Sequence, residues 1–247
     1  MKLRDLLTLY TITAGVIVPA ITQAAAPVNL IGNGDFETGD FSGWTIIDTG
    51  SGQTLINTGS HDPLGSGEAL PPISGRYDAL TEQPGPGLHV LQQKITVPMD
   101  VFSARLSWND RVRNWAYTYS DPNQEWRVLV KDVNGNVLQE VYSTNPGDLP
   151  LQTGPNARFA DMTGLLQLHA GEEVVISFEE EDNLSFFNAT LDDVVLLASV
   201  FPSTLDDCKK DGWTTFVNVN TGNRIFRNQG DCVSFVATKY TNQPAYY

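Results

Sequence analysis

Alternating apolar and polar positions along the chain predict β-strands. Over residues 102–109, phenylalanine, alanine, leucine and tryptophan alternate with serine, arginine, serine and asparagine. This period of two gives a strand one apolar face and one polar face. Apolar positions alternate in the same way in several further segments, and an Asn134-Gly135 pair predicts a tight hairpin turn ahead of one of them. These segments are residues 88–97, 126–130, 137–142, 174–178 and 189–200.

Many short strands separated by Gly, Pro, Asn and Asp predict an all-β protein, and specifically a β-sandwich. Only residues 162–170 indicate a short helix. Two predicted loops are long: residues 59–75, which contain His61 and Asp62, and Asp110–Gln124. Loops of this length in a compact domain are usually functional.

The N-terminal residues have the three-part pattern of a secretory signal peptide. Lys2 and Arg4 precede an apolar stretch, and small residues then offer a cleavage site after Ala24. The alternative is a membrane anchor, but about 15 apolar residues are too few to span a bilayer comfortably. The sequence therefore predicts a signal peptide over residues 1–24, no membrane span, and a protein that is secreted or periplasmic.

The charge of the chain limits its partners. Asp and Glu number 29 against 15 Lys and Arg, which gives a net charge of −14. Such an acidic chain is not expected to bind nucleic acid, because phosphates are neutralised by Lys and Arg. Neutral ligands and divalent cations are compatible with this charge, and so is a role in solubility alone.

Motifs for catalysis are scarce. The three histidines are far apart, and neither a His-Glu-x-x-His run nor a Gly-x-Ser-x-Gly elbow is present. Glu179-Glu180-Glu181-Asp182 is a candidate for a pair of glycosidase carboxylates. Adjacent strand residues face opposite sides, however, so this run is predicted to be a solvated strand end.

The C-terminal residues 204–247 are predicted to form a separate small unit. Both cysteines of the chain, Cys208 and Cys232, lie here. Two cysteines in an exported chain predict a disulfide, because so small a unit cannot build an adequate core alone. The Gly212-Trp213 and Asn228-Gln229-Gly230 motifs resemble a short C-terminal segment of exported bacterial proteins. That resemblance implies a bacterial origin and no particular activity.

Two motifs resemble the first and last strands of galactose-binding-like jelly rolls, which include the cellulose- and xylan-binding carbohydrate-binding modules. One begins Asn33-Gly34-Asp35-Phe36-Glu37 and ends at Gly43-Trp44; the other is Thr190-Leu191-Asp192-Asp193-Val194. The resemblance covers residues 28–199. It implies a jelly-roll β-sandwich over residues 25–203 and an exported, non-catalytic carbohydrate-binding protein whose partner is a glycan or polysaccharide.

The same resemblance implies a structural calcium ion that joins the first strand to the last. Glu37 and Asp192 would supply side-chain oxygens and Asp35 a backbone carbonyl, which suits the oxygen ligands that calcium requires. Whether Asp192 or Asp193 faces the ion is left open. In the alternative interpretation Asp35 and Asp40 cap turns and the two later aspartates are solvated.

The loop Asp110–Gln124 is unusually rich in aromatic residues, which suggests a sugar site. Trp115 and Tyr117 would be stacking platforms for sugar rings and Arg111 a donor to hydroxyls. In the alternative interpretation the rings pack down and pin the loop. Trp44 and Trp108 are predicted to be core residues.

Three classes of function therefore stay open: carbohydrate binding, a glycan hydrolase or lyase on the same sandwich, and a structural or adhesive matrix protein. A concave groove with exposed rings would favour binding. Two carboxylates about 5–10 Å apart in it would favour hydrolysis, and a flat apolar patch would favour protein association. The sequence does not give the sugar or the oligomeric state.

Overall fold

A computed structural model of the chain describes residues 26–63, 67–82 and 85–245. The predicted signal peptide, residues 1–24, lies outside the described residues. The described residues form eleven β-strands, two α-helices and a 3-10 helix. Their bounds are β1 Val28–Asn29, β2 Thr45–Gly50, β3 Gln53–Asn57, β4 Asp78–Glu82, β5 Gly87–Thr96, β6 Val101–Asn114, β7 Gln124–Asp132, β8 Val137–Ser143, β9 Leu151–Asp161, α1 Thr163–Leu168, β10 Glu173–Asp182, β11 Phe187–Val200, the 3-10 helix Gly212–Thr215 and α2 Gln229–Ala237.

Two antiparallel sheets pack face to face and confirm the predicted jelly-roll β-sandwich. The larger sheet has the strand order β3-β4-β11-β6-β9, with β1 paired to β11. The smaller sheet has the order β2-β5-β10-β7-β8. The first and last strands are therefore hydrogen-bonded neighbours, with Val28 opposite Ala198.

The core lies between the sheets and is built from the inward positions of the alternating strands. Phe178 contacts the rings of both Trp108 and Trp126, with centroids 5.8 and 6.1 Å apart. Trp44 is 8% exposed and donates its indole N–H to the Asn33 carbonyl at 2.9 Å. Trp108 is 3% exposed. The prediction that Trp44 and Trp108 are core residues is confirmed.

The predicted loop Asp110–Gln124 begins later in the structure than the sequence analysis predicted. Strand β6 continues to Asn114, and only residues 115–123 connect it to β7. Asp110 and Val112 continue the inward face, and both are fully buried, while Arg111 and Arg113 continue the outward face. The charged residues of this segment are typical of a loop, so the sequence did not predict a strand there. The groups that pair with these charges in the structure lie far away in the chain.

Two further departures from the sequence analysis concern β9 and β10. Pro155 lies within β9, which the alternation did not predict; a proline is tolerated there because β9 is an edge strand. The prediction of a solvated end for β10 was wrong. Glu179, Glu180 and Asp182 are 2%, 0% and 0% exposed.

The tail has its own hydrophobic cluster and is fastened to the sandwich. Cys208 and Cys232 form the predicted disulfide, which is confirmed. The cluster includes Phe102 of β6, so the tail packs directly on a sheet strand. The Val219 N–H also donates to Ser103 Oγ at 3.0 Å. The domain boundary near residue 203 stays a prediction.

No helix in the described part of the chain is both long enough and apolar enough to cross a membrane.

Candidate functional site

An open groove of about 360 Å³ lies on the outer face of the larger sheet. One wall is the segment before β4, and the other is formed where β6 ends and β9 begins. This volume lies within the range of roughly 300–1,000 Å³ that is typical of ligand pockets. The side chains on which its chemistry depends are Asp62, Glu68, Arg113, Trp115, Leu151 and Thr153.

Arg111, the predicted hydroxyl donor, fastens one wall of this groove. It is 8% exposed and donates to the Pro71 carbonyl at 2.5 Å and the Pro72 carbonyl at 3.3 Å. Its guanidinium thus holds the segment before β4 against the outer face of β6. A ligand role for Arg111 stays a prediction, but in this structure its donors bind protein carbonyls.

A buried polar network fixes the same wall. Asn57 Nδ2 donates to the Leu70 carbonyl and to Asp78 Oδ1, each at 3.0 Å. Asp78 Oδ2 accepts the Ile73 N–H at 2.8 Å. Burial raises the pKa of Asp78 to about 6, against the opposing effect of these hydrogen bonds and of Arg111. These hydrogen bonds tie down the backbone of this wall at residues 70–73.

Arg113 is the cation that lines the groove. It is half-buried, two positions after Arg111 on the outward face of β6, and pairs across the sheet with Leu151 and Asn188. Among the described residues no carboxylate lies within 4 Å of its guanidinium, and it makes no side-chain hydrogen bond. Burial and the proximity of Arg111 lower the pKa of Arg113. Sequence analysis did not single out Arg113, although it lies only two positions before Trp115 in the sequence.

The three aromatic residues of the loop after β6 have different roles. Tyr119 is 1% exposed and donates its hydroxyl to the carbonyls of Leu149 and Pro150, so it pins the loop. Trp115 is half-buried and lines the groove. Tyr117 is 88% exposed and is not part of the groove lining. The predicted stacking roles of Trp115 and Tyr117 therefore stay predictions, with Trp115 alone inside the groove.

Exposed apolar side chains surround this end of the sandwich. The Trp115 N–H donates to the Phe186 carbonyl at 2.9 Å, and the Asn114 N–H donates to Pro150 at 2.9 Å, which brings three loops together. The exposed apolar residues on these loops and at the start of β9 are Tyr117, Leu149, Leu151, Leu184 and Phe186.

Two of the three residues predicted to bind calcium, Glu37 and Asp192, both bind the segment 74–77. Glu37 Oε1 accepts the N–H of Arg76 at 2.7 Å and of Tyr77 at 3.1 Å. Asp192 Oδ2 accepts the N–H and the hydroxyl of Ser74 at 2.9 and 3.0 Å. The first and last motifs are thus joined through this segment.

A β-bulge in β11 directs both aspartates toward Ser74. The register of β11 against β6 shifts between Asp192 and Val195, and Asp193 has a positive φ of 52°. Such a bulge interrupts the alternation of faces. Asp193 Oδ1 therefore also reaches Ser74 Oγ, at 3.3 Å. Burial, together with the charge of Asp193, raises the pKa of Asp192 to about 7.

The acidic donor set fits calcium in its chemistry, since carboxylates have lone pairs to spare beyond one N–H bond. Asp35 is exposed, and its side-chain Oδ1 accepts the Glu37 N–H at 3.4 Å in a local turn. In the described part of the chain, no three His, Cys, Asp or Glu side chains are grouped closely enough to hold a metal by themselves. A complete ligand set would therefore need backbone carbonyls as well.

The acidic run of β10 lies apart from the groove. Glu179 forms ion pairs with Arg127 and Lys131 on the outer face of the smaller sheet. Those cations and the Ser177 hydroxyl, acting against burial, lower the pKa of Glu179. Glu180 points between the sheets, where Oε2 accepts from Thr81 Oγ1 and from the Ala189 N–H. These carboxylates hold the sandwich together rather than face a ligand in the groove.

No protein-family profile matches the chain, and no curated protein matches it. Among solved structures, TmCBM61 in complex with β-1,4-galactotriose is similar at 17% identity and a TM-score of 0.44, with 68% of this chain and 97% of that chain covered. The CBM22-1 xylan-binding domain of Paenibacillus barcinonensis Xyn10C is 14% identical, with a TM-score of 0.40 and 71% and 97% covered.

The K3 adhesin domain of the Porphyromonas gingivalis Lys-gingipain is 16% identical, with a TM-score of 0.40 and 70% and 98% covered. Carbohydrate-binding modules with a β-sandwich fold are thus among the structures similar to this chain, as its motifs predicted. At these scores neither ligand nor activity transfers from one protein to the other.

Proposed function

We propose that the chain binds carbohydrate, without catalysis, in the groove lined by Trp115 and Arg113. The observation that supports this most directly is a half-buried indole beside a guanidinium with no anionic partner among the described residues. An indole face contacts the apolar face of a sugar ring, and a guanidinium donates hydrogen bonds to the ring's oxygens. Arg113 takes the donor role that the sequence analysis gave to Arg111.

The opposite wall supplies acceptors for sugar hydroxyls. Asp62 and Glu68 line the groove, and a carboxylate accepts more than one hydrogen bond. Asp62 Oδ2 already accepts the Gly67 N–H at 2.5 Å, which orients its carboxylate. A ring bound between the walls would therefore meet acceptors on one side and a donor with a stacking surface on the other.

Replacing Trp115 by alanine is expected to weaken glycan binding about 30-fold or more, because truncating a central tryptophan typically costs about 2 kcal/mol or more of binding free energy. Since the side chain is half-buried, stability should change by less than about 1 kcal/mol. Glycan-array screening followed by calorimetric titration, with thermal melts of both proteins, measures these two effects.

Phe159→Ala is the control, because Phe159 is another aromatic residue on the outer face of the larger sheet but lies outside the groove lining, with 67% of its surface exposed. Its affinity should equal that of the wild type. If Trp115→Ala instead loses several kcal/mol of stability, as deeply buried aromatic residues do, the indole is structural and the site lies elsewhere. Tyr117→Ala should lower glycan affinity only for a ligand that extends past Trp115.

We further propose that calcium joins residues 35–37 to Asp192 through the segment 74–77. The support is the convergence of Glu37, Asp192 and Asp193 on that segment. Binding to the folded state alone stabilises a protein by mass action, by about 2.7 kcal/mol at a hundredfold excess over Kd. For a chain of this size, chelation with EDTA should then lower Tm by roughly 5–10 °C.

Glu37→Gln and Asp192→Asn should each abolish the difference in Tm between calcium and EDTA. Asp35→Asn is the control: its role is predicted for the backbone carbonyl, so the calcium effect should persist. Equal melting curves of the wild type in calcium and EDTA, with no metal in elemental analysis, would refute the calcium proposal and leave the groove unaffected.

A second candidate, adhesion to other proteins, is favoured by the exposed apolar residues around Tyr117, Leu149 and Phe186. Exposed apolar patches mark association sites. Leu149→Ser with Phe186→Ser should then abolish self-association in sedimentation velocity and leave glycan affinity unchanged. Hydrolysis or elimination of any bound glycan by the wild type would instead support the enzyme alternative.

A further inference from the structure

Arg113 differs from the other arginines that are buried or half-buried in the described residues. Arg127 pairs with three glutamates, and Arg158 pairs with Asp110. Arg111 donates to two carbonyls, and Arg105 lies over the ring of Phe159 at 4.2 Å. Arg113 has none of these partners within the part of the chain that the structure describes.

An unpaired guanidinium in a half-buried position is costly, because charged groups out of water are normally paired. The chain does not lack anions, since its net charge is −14. Asp62 and Glu68 line the same groove, yet neither lies within 4 Å of Arg113. The groove therefore keeps its own carboxylates away from its cation, which leaves the guanidinium available to a ligand.

The ligand that this arrangement suits has one carboxylate and several hydroxyls. A guanidinium binds a planar carboxylate through two parallel hydrogen bonds. Arg113 lies near the end of β6 and Trp115 directly follows the strand, two positions later, so their backbones are at most about 7 Å apart. A ring that stacks on Trp115 can thus direct a carboxylate on the same or the neighbouring ring to Arg113, while its hydroxyls donate to Asp62 and Glu68.

We propose that the groove selects a carboxylated glycan, with a uronate carboxylate bound to Arg113 and a sugar ring stacked on Trp115. This inference rests on the proposed function, because it names the substrate class of the same groove. A neutral glycan would leave the guanidinium without its charge partner, and a polyanion without free hydroxyls would bring charge against Asp62 and Glu68.

The test uses oligosaccharides that carry a single uronate residue, which is galacturonate, glucuronate or mannuronate, and compares each free acid with its methyl ester. For at least one of the three, the wild type should bind the free acid about 10- to 100-fold more tightly than the ester, the range of a charge-assisted hydrogen bond. Arg113→Gln should abolish this preference, so that the variant binds acid and ester with equal affinity, because an amide carries no charge to pair with the carboxylate. Arg227→Gln removes an exposed cation in the tail and should keep the preference.

The outcomes separate this inference from the proposed function. Equal affinity for acid and ester, or tighter binding of sulfated or neutral glycans, overturns selection of a carboxylate; Trp115→Ala then still tests the groove as a glycan site. If Trp115→Ala leaves binding of both acid and ester intact, the groove itself is wrong. A preference that survives in Arg113→Gln also overturns the assignment to Arg113.

Discussion

Replacing Asp110 by alanine is expected to destabilise the fold by about 3–5 kcal/mol, the cost of removing one partner of a buried ion pair. Asp110 is fully buried between the sheets. Its Oδ2 accepts the Arg158 Nε–H at 2.5 Å and the indole N–H groups of Trp108 and Trp126 at 3.0 and 3.2 Å. Its Oδ1 accepts from Asn156 Nδ2 at 3.0 Å.

The loss is large because one carboxylate satisfies donors from three strands. Without it, two indole N–H groups lack acceptors in the core, each a cost of about 1–3 kcal/mol. Arg158 would keep its hydrogen bond from Nη2 to Gln152 Oε1 at 2.6 Å and its contact with the ring of Tyr142, 4.1 Å from its guanidinium carbon, but it would lose its anionic partner. Since small proteins are stable by only about 5–15 kcal/mol, the variant should be close to unfolded at 37 °C.

Urea denaturation at pH 7, followed by tryptophan fluorescence and circular dichroism, measures the change. Asp110→Asn retains an acceptor oxygen and should lose less. The double variant Asp110→Ala, Arg158→Met should lose less unfolding free energy than the two single variants lose in sum, because neither charge is then left without its partner. Asp100→Ala removes an exposed carboxylate and should change stability by less than about 0.5 kcal/mol. An Asp110→Ala variant as stable as Asp100→Ala contradicts the prediction.

Asp110 also shows where sequence patterns stop being informative. Alternation predicted the strands whose inward residues are apolar, including β5, β7, β10 and β11. It ended β6 too soon, because Asp110 was interpreted as a loop residue. Its main partner, Arg158, lies 48 positions away, and β9, which supplies it, was itself hidden by Pro155. A buried polar residue becomes predictable only once its long-range partners are known.

The residues that line the groove could also be predicted only in part from the sequence. The sequence analysis predicted Trp115 and Arg111 as site residues, and in the structure Trp115 lines the groove with Arg113. Nothing local distinguishes two arginines on one strand face. The distinction comes from the Pro71 and Pro72 carbonyls, which lie 40 and 39 positions before Arg111 in the sequence and accept its hydrogen bonds. Asp62 was noted within a long loop, and its place opposite Arg113 again depends on tertiary packing.

The interior carboxylates of β10 predict a pH dependence that a solvated strand end would not have. Burial raises the pKa of Asp182 to about 7, with a contribution from Glu181. Burial also raises the pKa of Glu180, helped by the charge of Asp182. Across the sheet from Glu180 lies His89, whose Nδ1 is 2.6 Å from Asp48.

The sign follows from the raised pKa values. In the unfolded chain Asp182 releases its proton near pH 4, whereas in the folded chain it keeps the proton up to about pH 7. The folded state therefore binds more protons between these values, and stability falls as pH rises through the interval. The total loss of unfolding free energy from this pKa shift is about 4 kcal/mol, at 1.36 kcal/mol per pKa unit. About 3 kcal/mol of this loss falls between pH 5 and pH 8.

Asp182→Asn mimics the protonated carboxyl and should remove that part of the pH dependence. Relative to the wild type, the variant should gain about 3 kcal/mol of unfolding free energy between pH 5 and pH 8. Taking the difference at each pH cancels the histidines, which titrate in both proteins. Urea titrations at fixed calcium concentration measure this free-energy difference, with Asp100→Asn as the exposed control.

Glu180→Gln should shift stability in the same direction, because the carboxyl of Glu180 is also buried between the sheets. The opposite result is a difference in unfolding free energy between Asp182→Asn and the wild type that stays constant from pH 5 to pH 8. It would show that Asp182 is ionised throughout, and that solvent or a bound cation reaches it in the folded protein.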